Sequence, residues 1–310
     1  MAITFSLPNF GLGCGPLGGS GGVFGVESEA AGVATVRHCL EQGIRLFDTA
    51  PLYGSGVSET RLGKALAGVP RQQYLLSTKI GVVINADGSS ERIYSREAVK
   101  RSIDDSLRRL GIDHIDIAHI HDADADEHFR QALDEAYPVL ADLKRQGVIR
   151  AISAGMNQWQ REAEFARNAD FDAFLLAGRY TLLEQEPIHE FFPLCAEKKI
   201  SILLGGVFNS GVLATGATPD ARFQYRPAPP EVLEKTRRIE GVCARHGVAL
   251  KAAALQFPLA HPVVKSLVVG MVSPDEVDQN LAALNAPIAA AFWADLREEG
   301  LIEAGAPTPA

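Results

Sequence analysis

Short apolar runs alternate along this chain with longer amphipathic runs. The short runs are rich in Val, Ile, Leu and Phe and predict buried strands over residues 12–14, 45–48, 74–79, 115–121, 150–154, 173–176, 201–204 and 267–269. Apolar residues at helical spacing predict helices over residues 29–42, 58–67, 95–110, 135–146, 188–197, 231–246 and 274–284. Because strand and helix alternate about eight times, the pattern predicts an α/β protein with a (β/α)8 TIM barrel, and a doubly wound sheet is the alternative.

A single domain is expected from the same pattern. No linker rich in Pro, Gly or Ser divides the chain, and α/β barrels often occupy about 250 residues or more as one unit. The longest irregular stretch covers residues 214–230. We therefore assign residues 1–303 to the barrel and expect residues 304–310 to form a disordered tail.

Three of the predicted strands end in a residue suited to proton chemistry. Asp48, Lys79 and His121 stand at the carboxyl ends of their strands, and Tyr53 follows Asp48 by five residues. Barrel enzymes place their active sites on this face, so we expect the four side chains to meet there. An ammonium beside a tyrosine favours the phenolate, and a carboxylate keeps that lysine charged. Such a set can move a proton on a carbonyl or hydroxyl oxygen while a hydride moves at the carbon. Each residue taken alone could instead belong to a structural ion pair.

Composition and charge narrow the classes of function. Hydrophobic residues make up 46% and charged residues 22% of the 310 positions, which is typical of a soluble globular protein. The net charge of -8 argues against a nucleic-acid or anionic-membrane partner, and no apolar run reaches the roughly 18 residues of a membrane span. The chain has four cysteines, Cys14, Cys39, Cys195 and Cys243, and none forms a CxxC pair. No secretory leader is recognised either. We therefore expect free thiols and a cytoplasmic location.

Three motifs resemble those of the aldo-keto reductase family. Segments 47–54, 77–79 and 120–122 read Phe-Asp-Thr-Ala-Pro-Leu-Tyr-Gly, Ser-Thr-Lys and Ile-His-Asp, and the resemblance covers essentially the whole chain. It implies that Asp48, Tyr53, Lys79 and His121 are catalytic and that Tyr53 and His121 contact the substrate. Arg179, beside Tyr180, could also bind substrate, although an arginine near a strand end is as often part of a structural ion pair. Segments 155–159 and 174–183 are most similar to bacterial members that oxidise L-fucose and other D-threo-aldoses, so a small-molecule sugar is the expected substrate.

The family resemblance also implies a nicotinamide cofactor held by loops after the later strands. The residues that this comparison assigns to cofactor binding are Asn157, Gly205, Val207, Phe208, Asn209, Ser210, Gly211, Leu213, Gly270, Met271, Ser273, Glu276, Gln279 and Asn280. Ser273 is expected to N-cap a helix whose positive end faces phosphate. Glu276 stands where members that prefer NADP carry arginine, so we expect NAD to be preferred, with NADP possible. Ala177 and Gly205 replace a glutamine and a stacking tyrosine of the family, which leaves two cofactor contacts partly unassigned.

Two further motifs allow other interpretations of the function. Residues 13–18 match the GxGxxG spacing of a dinucleotide-binding turn, but Pro16 and the glycines Gly19, Gly21 and Gly22 stand where a helix should begin. His119 and His121 share one side of a strand, as in a metal hydrolase, yet no second ligand cluster accompanies them and no metal is expected.

Three alternatives keep the barrel but change the function. One is a carbonyl reductase or pyridoxal 4-dehydrogenase that uses the same machinery. The second is a metal-dependent barrel hydrolase, and the third is a non-catalytic cofactor-binding subunit, against which the intact set of four polar residues counts. A monomer or weak homo-oligomer is expected in each case.

Overall fold

Eight parallel strands form a closed barrel in which each strand pairs with the next along the chain. The computed structural model describes residues 3–19, 25–85 and 87–310. The strands are β1 Phe10–Gly13, β2 Leu46–Asp48, β3 Leu75–Ile80, β4 Ile115–His121, β5 Ile149–Met156, β6 Ala173–Ala177, β7 Ser201–Gly205 and β8 Val264–Gly270. The predicted single-domain (β/α)8 barrel is confirmed, and the doubly wound alternative is wrong because β1 pairs with both β2 and β8 and leaves no open edge.

Helices surround this barrel and connect its strands. They are α1 Glu29–Glu41, α2 Val57–Leu66, α3 Arg96–Leu110, α4 Asp126–Gln131, α5 Tyr137–Gln146, α6 Trp159–Asn168, α7 Phe191–Lys198, α8 Val212–Thr215, α9 Pro230–His246, α10 Leu250–Leu259, α11 Pro274–Leu284 and α12 Ala290–Glu298. The pattern did not predict α4, α6, α8, α10 or α12. Among the described helices, none has the length and apolar character that crossing a bilayer requires.

Two predicted helices are interrupted in the structure. The segment 135–146 begins inside a π-helical turn, Ala132–Ala136, and continues as α5. The segment 188–197 divides into a 3-10 turn, Glu186–His189, and α7. Ser95 is the N-cap of α3, and its hydroxyl accepts a hydrogen bond from the Ala98 amide.

Alternation along the strands sets the character of the barrel interior. Residues two apart on a strand point to the same side of the sheet. On β4, Ile117 belongs to the apolar cluster inside the barrel, whereas His119 and His121 follow it on the same side. On β2, Leu46 lies in this cluster and Asp48 follows. The interior is therefore apolar toward the amino ends of the strands and polar toward their carboxyl ends.

The amino ends of the strands are closed by apolar residues and buried ion pairs. Ile3, Phe5 and Leu7 pack against the apolar cluster inside the barrel. The buried carboxylate of Asp116 accepts hydrogen bonds of 2.6 Å from both Arg71 and Arg150. This end of the barrel is built for stability, so the polar face at the other end is the one available for chemistry.

The carboxyl-terminal segment packs against the barrel wall, which corrects the expectation of a disordered tail. Ala306 is only 2% exposed. The guanidinium of Arg297, in α12, donates to the Ala306 carbonyl at 3.2 Å and to the Thr308 hydroxyl at 3.3 Å. The stretch predicted to be irregular also contains structure, a short hairpin of strands Arg222–Phe223 and Arg226–Pro227.

Candidate active site

A buried ion pair between Asp48 and Lys79 forms the centre of the polar face. The Lys79 ammonium donates to Oδ2 of Asp48 at 2.6 Å and to the carbonyl of Thr49 at 2.8 Å. The other carboxylate oxygen of Asp48 accepts a 2.7 Å hydrogen bond from the Ser77 hydroxyl. Lys79 and Asp48 are 2% and 3% exposed, so burial and fixed partners hold both groups in one geometry.

The pair stabilises the charged forms of both residues. Burial would raise the pKa of Asp48, but the Lys79 ammonium and His119 outweigh it and hold that pKa well below its usual value. Burial would lower the pKa of Lys79, and the Asp48 carboxylate reverses this, so the pKa of Lys79 lies above its ordinary value. Lys79 is therefore a permanent positive charge at the site.

Tyr53 lies next to this charge. The Lys79 Nζ atom is 5.1 Å from the centroid of the Tyr53 ring. The loop carrying Tyr53 approaches the loop after β1 so closely that a Cβ atom on Gly54 would lie 1.8 Å from the Gly18 carbonyl oxygen. Gly54 also has a φ of 64°, a conformation that glycine adopts without steric cost. Two glycines thus allow the backbone contact that fixes the position of Tyr53.

Burial has the largest effect on the Tyr53 hydroxyl. It raises the pKa of Tyr53 above its usual value, the Lys79 ammonium lowers it, and the carboxylates of Asp48 and Asp122 raise it further. The net result is a protonated tyrosine whose loss of a proton is favoured by Lys79. The predicted influence of the lysine is present, but in this structure burial outweighs it.

His121 also lies beside Tyr53. The two rings lie 6.0 Å apart between centroids and nearly perpendicular, at 87°. Burial, and then the positive charge of Lys79, lowers the pKa of His121 well below its usual value, so the imidazole is neutral. The Tyr94 hydroxyl holds the His121 carbonyl at 2.5 Å. A neutral imidazole in this position can form a hydrogen bond with an oxygen that also lies within reach of a tyrosine hydroxyl.

Two supporting residues were not predicted from the sequence. Ser77 binds Asp48, and Tyr94 fixes the backbone of His121. Ser77 could have been found, because it stands two positions before Lys79 on one strand and therefore on the same side. Tyr94 could not, since it reaches the site from a separate loop.

The structure argues against the two competing motifs. His119 is fully buried, its Nδ1 atom lies 2.8 Å from the Ser153 hydroxyl and its Nε2 atom lies 3.4 Å from Asp48. Among the described residues, no group of three or more His, Cys, Asp or Glu is placed to hold a metal ion. Residues Gly15–Gly18 form a 3-10 turn after β1 in place of the helix that a dinucleotide-binding turn requires. Gly21 and Gly22 lie outside the described residues.

The loop after β7 lies on the same face and contains most of the predicted cofactor-binding residues. Its backbone turns through positive φ values at Asn209, Ser210 and Gly211. The amides of Asn209, Gly211 and Leu213 donate to carbonyls within the loop. Val207 is buried, and Gly205 and Phe208 are partly exposed.

The loop after β8 continues into α11 and contains the other predicted cofactor-binding residues. The Ser273 hydroxyl accepts a hydrogen bond from the Glu276 amide, as expected for an N-cap. The Glu276 carboxylate in turn accepts a 2.9 Å hydrogen bond from the Val272 amide, so it also stabilises this helix end. Gln279 is exposed, Met271 is buried and Gly270 ends the strand.

Two buried amide side chains support the assignment of these loops to a dinucleotide. Asn209 and Asn280 are 4% and 3% exposed, and the carbonyl oxygen of each has no hydrogen-bond partner within the described part of the chain. Buried polar atoms are usually paired, so unpaired acceptors at Asn209, in the loop after β7, and at Asn280, in α11, fit a ligand that supplies donors. The amide and hydroxyl groups of a nicotinamide dinucleotide are donors of this kind.

Arg179 is largely occupied by protein groups. Its guanidinium donates to the Glu184 carboxylate at 2.6 Å and to the Asn157 carbonyl at 3.2 Å. The side-chain oxygen of Gln224, in the orientation that satisfies the amide, accepts from the same guanidinium at 2.6 Å and 3.2 Å. Asn157 itself donates to the Ala177 carbonyl at 2.7 Å. Arg179 thus links three loops at the rim, which weakens the expectation that it binds substrate.

Together these features define a TIM barrel with an acid–base site at the carboxyl ends of its strands. The Aldo/keto reductase family model matches residues 9–299, and the chain belongs to this family of oxidoreductases.

Relatives and solved structures extend over nearly the whole chain. The chain is 36% identical to the pyridoxal 4-dehydrogenase of Microbacterium luteolum, covering 94% of each. It is 35% identical to the D-threo-aldose 1-dehydrogenase of a Pseudomonas species, covering 99% of this chain and 97% of that protein. The holo form of the aldo-keto reductase AKR11C1 from Bacillus halodurans superposes with a TM-score of 0.79 at 27% identity, covering 98% of this chain and 96% of the other.

Proposed function

We propose that the protein oxidises the anomeric carbon of a free aldose of the L-fucose or D-threo type to the lactone, with NAD as the hydride acceptor. The observation that carries the chemistry is the buried ammonium of Lys79, 2.6 Å from Asp48 and 5.1 Å from the Tyr53 ring centroid. The 35% identity to a D-threo-aldose 1-dehydrogenase, over 99% of this chain, supports the choice of substrate. Four unpaired cysteines support a cytoplasmic location.

Each residue of the set has one role in this reaction. The anomeric carbon loses a hydride and its hydroxyl loses a proton, so a carbonyl forms and the lactone is released. NAD, when bound, accepts the hydride. Tyr53 takes the hydroxyl proton, Lys79 favours the phenolate that this requires, and Asp48 keeps Lys79 charged and oriented. His121, neutral and beside Tyr53, orients the same hydroxyl.

A panel of free sugars assayed with NAD and NADP tests this proposal. We expect oxidation of L-fucose or a related D-threo-aldose, followed as formation of reduced cofactor, with the lactone identified by mass spectrometry. Pyridoxal belongs in the same panel, because the 36% identical relative is a pyridoxal 4-dehydrogenase. Turnover of pyridoxal with no turnover of any aldose would replace the proposed function with that alternative. Stoichiometric cofactor binding without turnover of any compound would favour the non-catalytic subunit.

Glu276 is the basis for proposing NAD over NADP. A carboxylate near the ribose repels a 2′-phosphate and can accept a hydrogen bond from a 2′-hydroxyl. A cation near the ribose would favour a 2′-phosphate and so oppose the effect of Glu276. Lys265 lies near the amino end of β8, the end opposite to the site. Lys251 lies closer, since its ammonium is 3.4 Å from the Gln279 side-chain oxygen in α11.

We expect Glu276→Arg to shift the ratio of kcat/KM for NAD to kcat/KM for NADP toward NADP, by roughly tenfold or more. Since Glu276 also accepts a hydrogen bond from Val272, the variant should lose about 1 kcal/mol of stability. Glu276→Gln is the matched control, because it keeps an acceptor for Val272 but removes the charge. It should move the ratio in the same direction by less. A wild type that prefers NADP, or a ratio unchanged in both variants, would place the ribose contact elsewhere.

A further inference from the structure

The residue after His121 has an unusual backbone conformation and lies against the proton-transfer set. Asp122 has a φ of 48°, in the left-handed region that few residues other than glycine, asparagine and aspartate adopt. Its Oδ2 atom lies 3.7 Å from Nε2 of His121. The charge of Asp122 is also close enough to act on the Tyr53 hydroxyl. A carboxylate is therefore present at the position where a substrate would meet His121.

The position of this carboxylate is fixed by Arg92, which lies in a short hairpin outside the barrel sheet. The guanidinium of Arg92 donates to the Asp122 carbonyl at 2.9 Å and lies 3.5 Å from its Oδ2 atom. Arg92 ends the short antiparallel hairpin formed by Val82–Ile84 and Ser90–Arg92. The amide of Asp122 donates to the Gly155 carbonyl, on β5, at 3.0 Å. Both the backbone and the side chain of Asp122 are thus held, while about a third of the side chain, 34%, stays exposed.

One hydroxyl group can bond His121 and Asp122 together. The two atoms are 3.7 Å apart, so an oxygen that approaches them from the side can lie about 2.8 Å from both, which is a normal hydrogen-bond length. Such a hydroxyl would donate to the carboxylate, which is an acceptor only, and could accept from the imidazole. A phosphate or carboxylate group at this position would face a like charge.

We propose that Asp122 determines the substrate class of this site, selecting neutral carbonyl compounds with a hydroxyl near the reacting carbon and rejecting their phosphorylated counterparts. The inference rests on the proposed function only in placing the substrate beside Tyr53 and His121. It adds a specificity-determining residue to that function and restricts the substrate to unphosphorylated sugars or hydroxyaldehydes.

The test compares three short aldehydes in the reducing direction, with wild-type enzyme and reduced cofactor. Glyceraldehyde has the hydroxyl and no charge, propanal lacks the hydroxyl, and glyceraldehyde 3-phosphate adds the anion. We expect the wild type to give its highest kcat/KM with glyceraldehyde. In Asp122→Asn, the ratio of glyceraldehyde to its phosphate, and the ratio of glyceraldehyde to propanal, should each fall about tenfold or more. Asparagine tolerates the left-handed backbone, so this variant removes the charge and leaves the loop conformation accessible.

Two further variants separate a local contact from general electrostatics. Asp124→Asn removes an exposed carboxylate two residues away, which accepts from Gln158, and should change neither ratio by more than about twofold. Arg92→Gln removes the opposing cation, so it should raise the discrimination against the phosphate, opposite to Asp122→Asn. The inference is overturned if the wild type does not favour glyceraldehyde over both other aldehydes, if Asp122→Asn leaves both ratios unchanged, or if Asp124→Asn has the same effect.

The outcome is distinguishable from that of the proposed function. Aldose oxidation with NAD is measured separately and can fail while the three aldehydes still show the expected ratios. It can also succeed while Asp122→Asn leaves those ratios unchanged.

Discussion

Tyr53→Phe is expected to lower kcat by roughly 100-fold or more while the affinity for cofactor barely changes. The substitution keeps the ring that packs 6.0 Å from the His121 ring and 5.1 Å from the Lys79 ammonium, and it removes the one proton that the tyrosine can transfer. Steady-state kinetics with the best sugar, together with cofactor titration by protein fluorescence, measures the two quantities separately.

A matched control for this variant is Tyr74→Phe. Tyr74 directly precedes β3, at the amino end of the barrel and away from the site, so the same chemical change there should leave kcat close to that of the wild type. If Tyr53→Phe keeps near-normal turnover, Tyr53 is not the proton carrier. If both variants lose activity equally, the loss reflects packing of the barrel and carries no information on catalysis.

Lys79→Met is expected to raise the pH at which oxidation becomes fast, so the rising limb of the pH–rate profile moves toward higher pH. Burial already raises the pKa of Tyr53, and Lys79 is the group that lowers it, so its loss leaves the phenolate accessible only at higher pH. Turnover at neutral pH should fall by roughly 100-fold or more, and part of it should return as pH rises. The complete pH profile of kcat, compared with wild type, is the measurement.

Stability must be measured in the same experiment, because Lys79→Met leaves the buried Asp48 carboxylate without its cation. Losing one member of a buried pair costs about 3–5 kcal/mol. The double variant Asp48→Asn with Lys79→Met removes the stranded charge and should recover much of that stability without recovering activity at neutral pH. If the variant is folded and active and the rising limb of its pH–rate profile is unshifted, Lys79 has a structural role only.

The chain order of the barrel and its four central residues could be predicted from local sequence. Buried strands appear as short apolar runs whatever their neighbours, and all parallel strands of a barrel end on the same face. Asp48, Lys79 and His121, each at the end of such a run, therefore had to share one rim. Tyr53 was expected to join them because it follows Asp48 by five residues, and its ring centroid lies 5.1 Å from the Lys79 ammonium.

The roles of single side chains between loops could not be predicted in this way. From the sequence, Arg179 could either bind substrate or belong to a structural ion pair. In the structure its guanidinium contacts Asn157 and Gln224, which come from two other loops. These contacts depend on how separate loops meet, and the spacing of residues along the chain contains no information on that.

The sequence by itself determined the barrel and the rim on which Asp48, Lys79 and His121 lie, because hydrophobic periodicity and strand ends are local properties of the chain. Only the tertiary structure decided that burial raises the pKa of Tyr53 more than Lys79 lowers it. It also decided that the last residues pack against α12 and that the Asp122 carboxylate lies close to both His121 and Arg92. The pKa of a group and the partners of a side chain are set by whatever lies around them in space, and some of those neighbours, such as Arg92 beside Asp122, come from distant parts of the sequence.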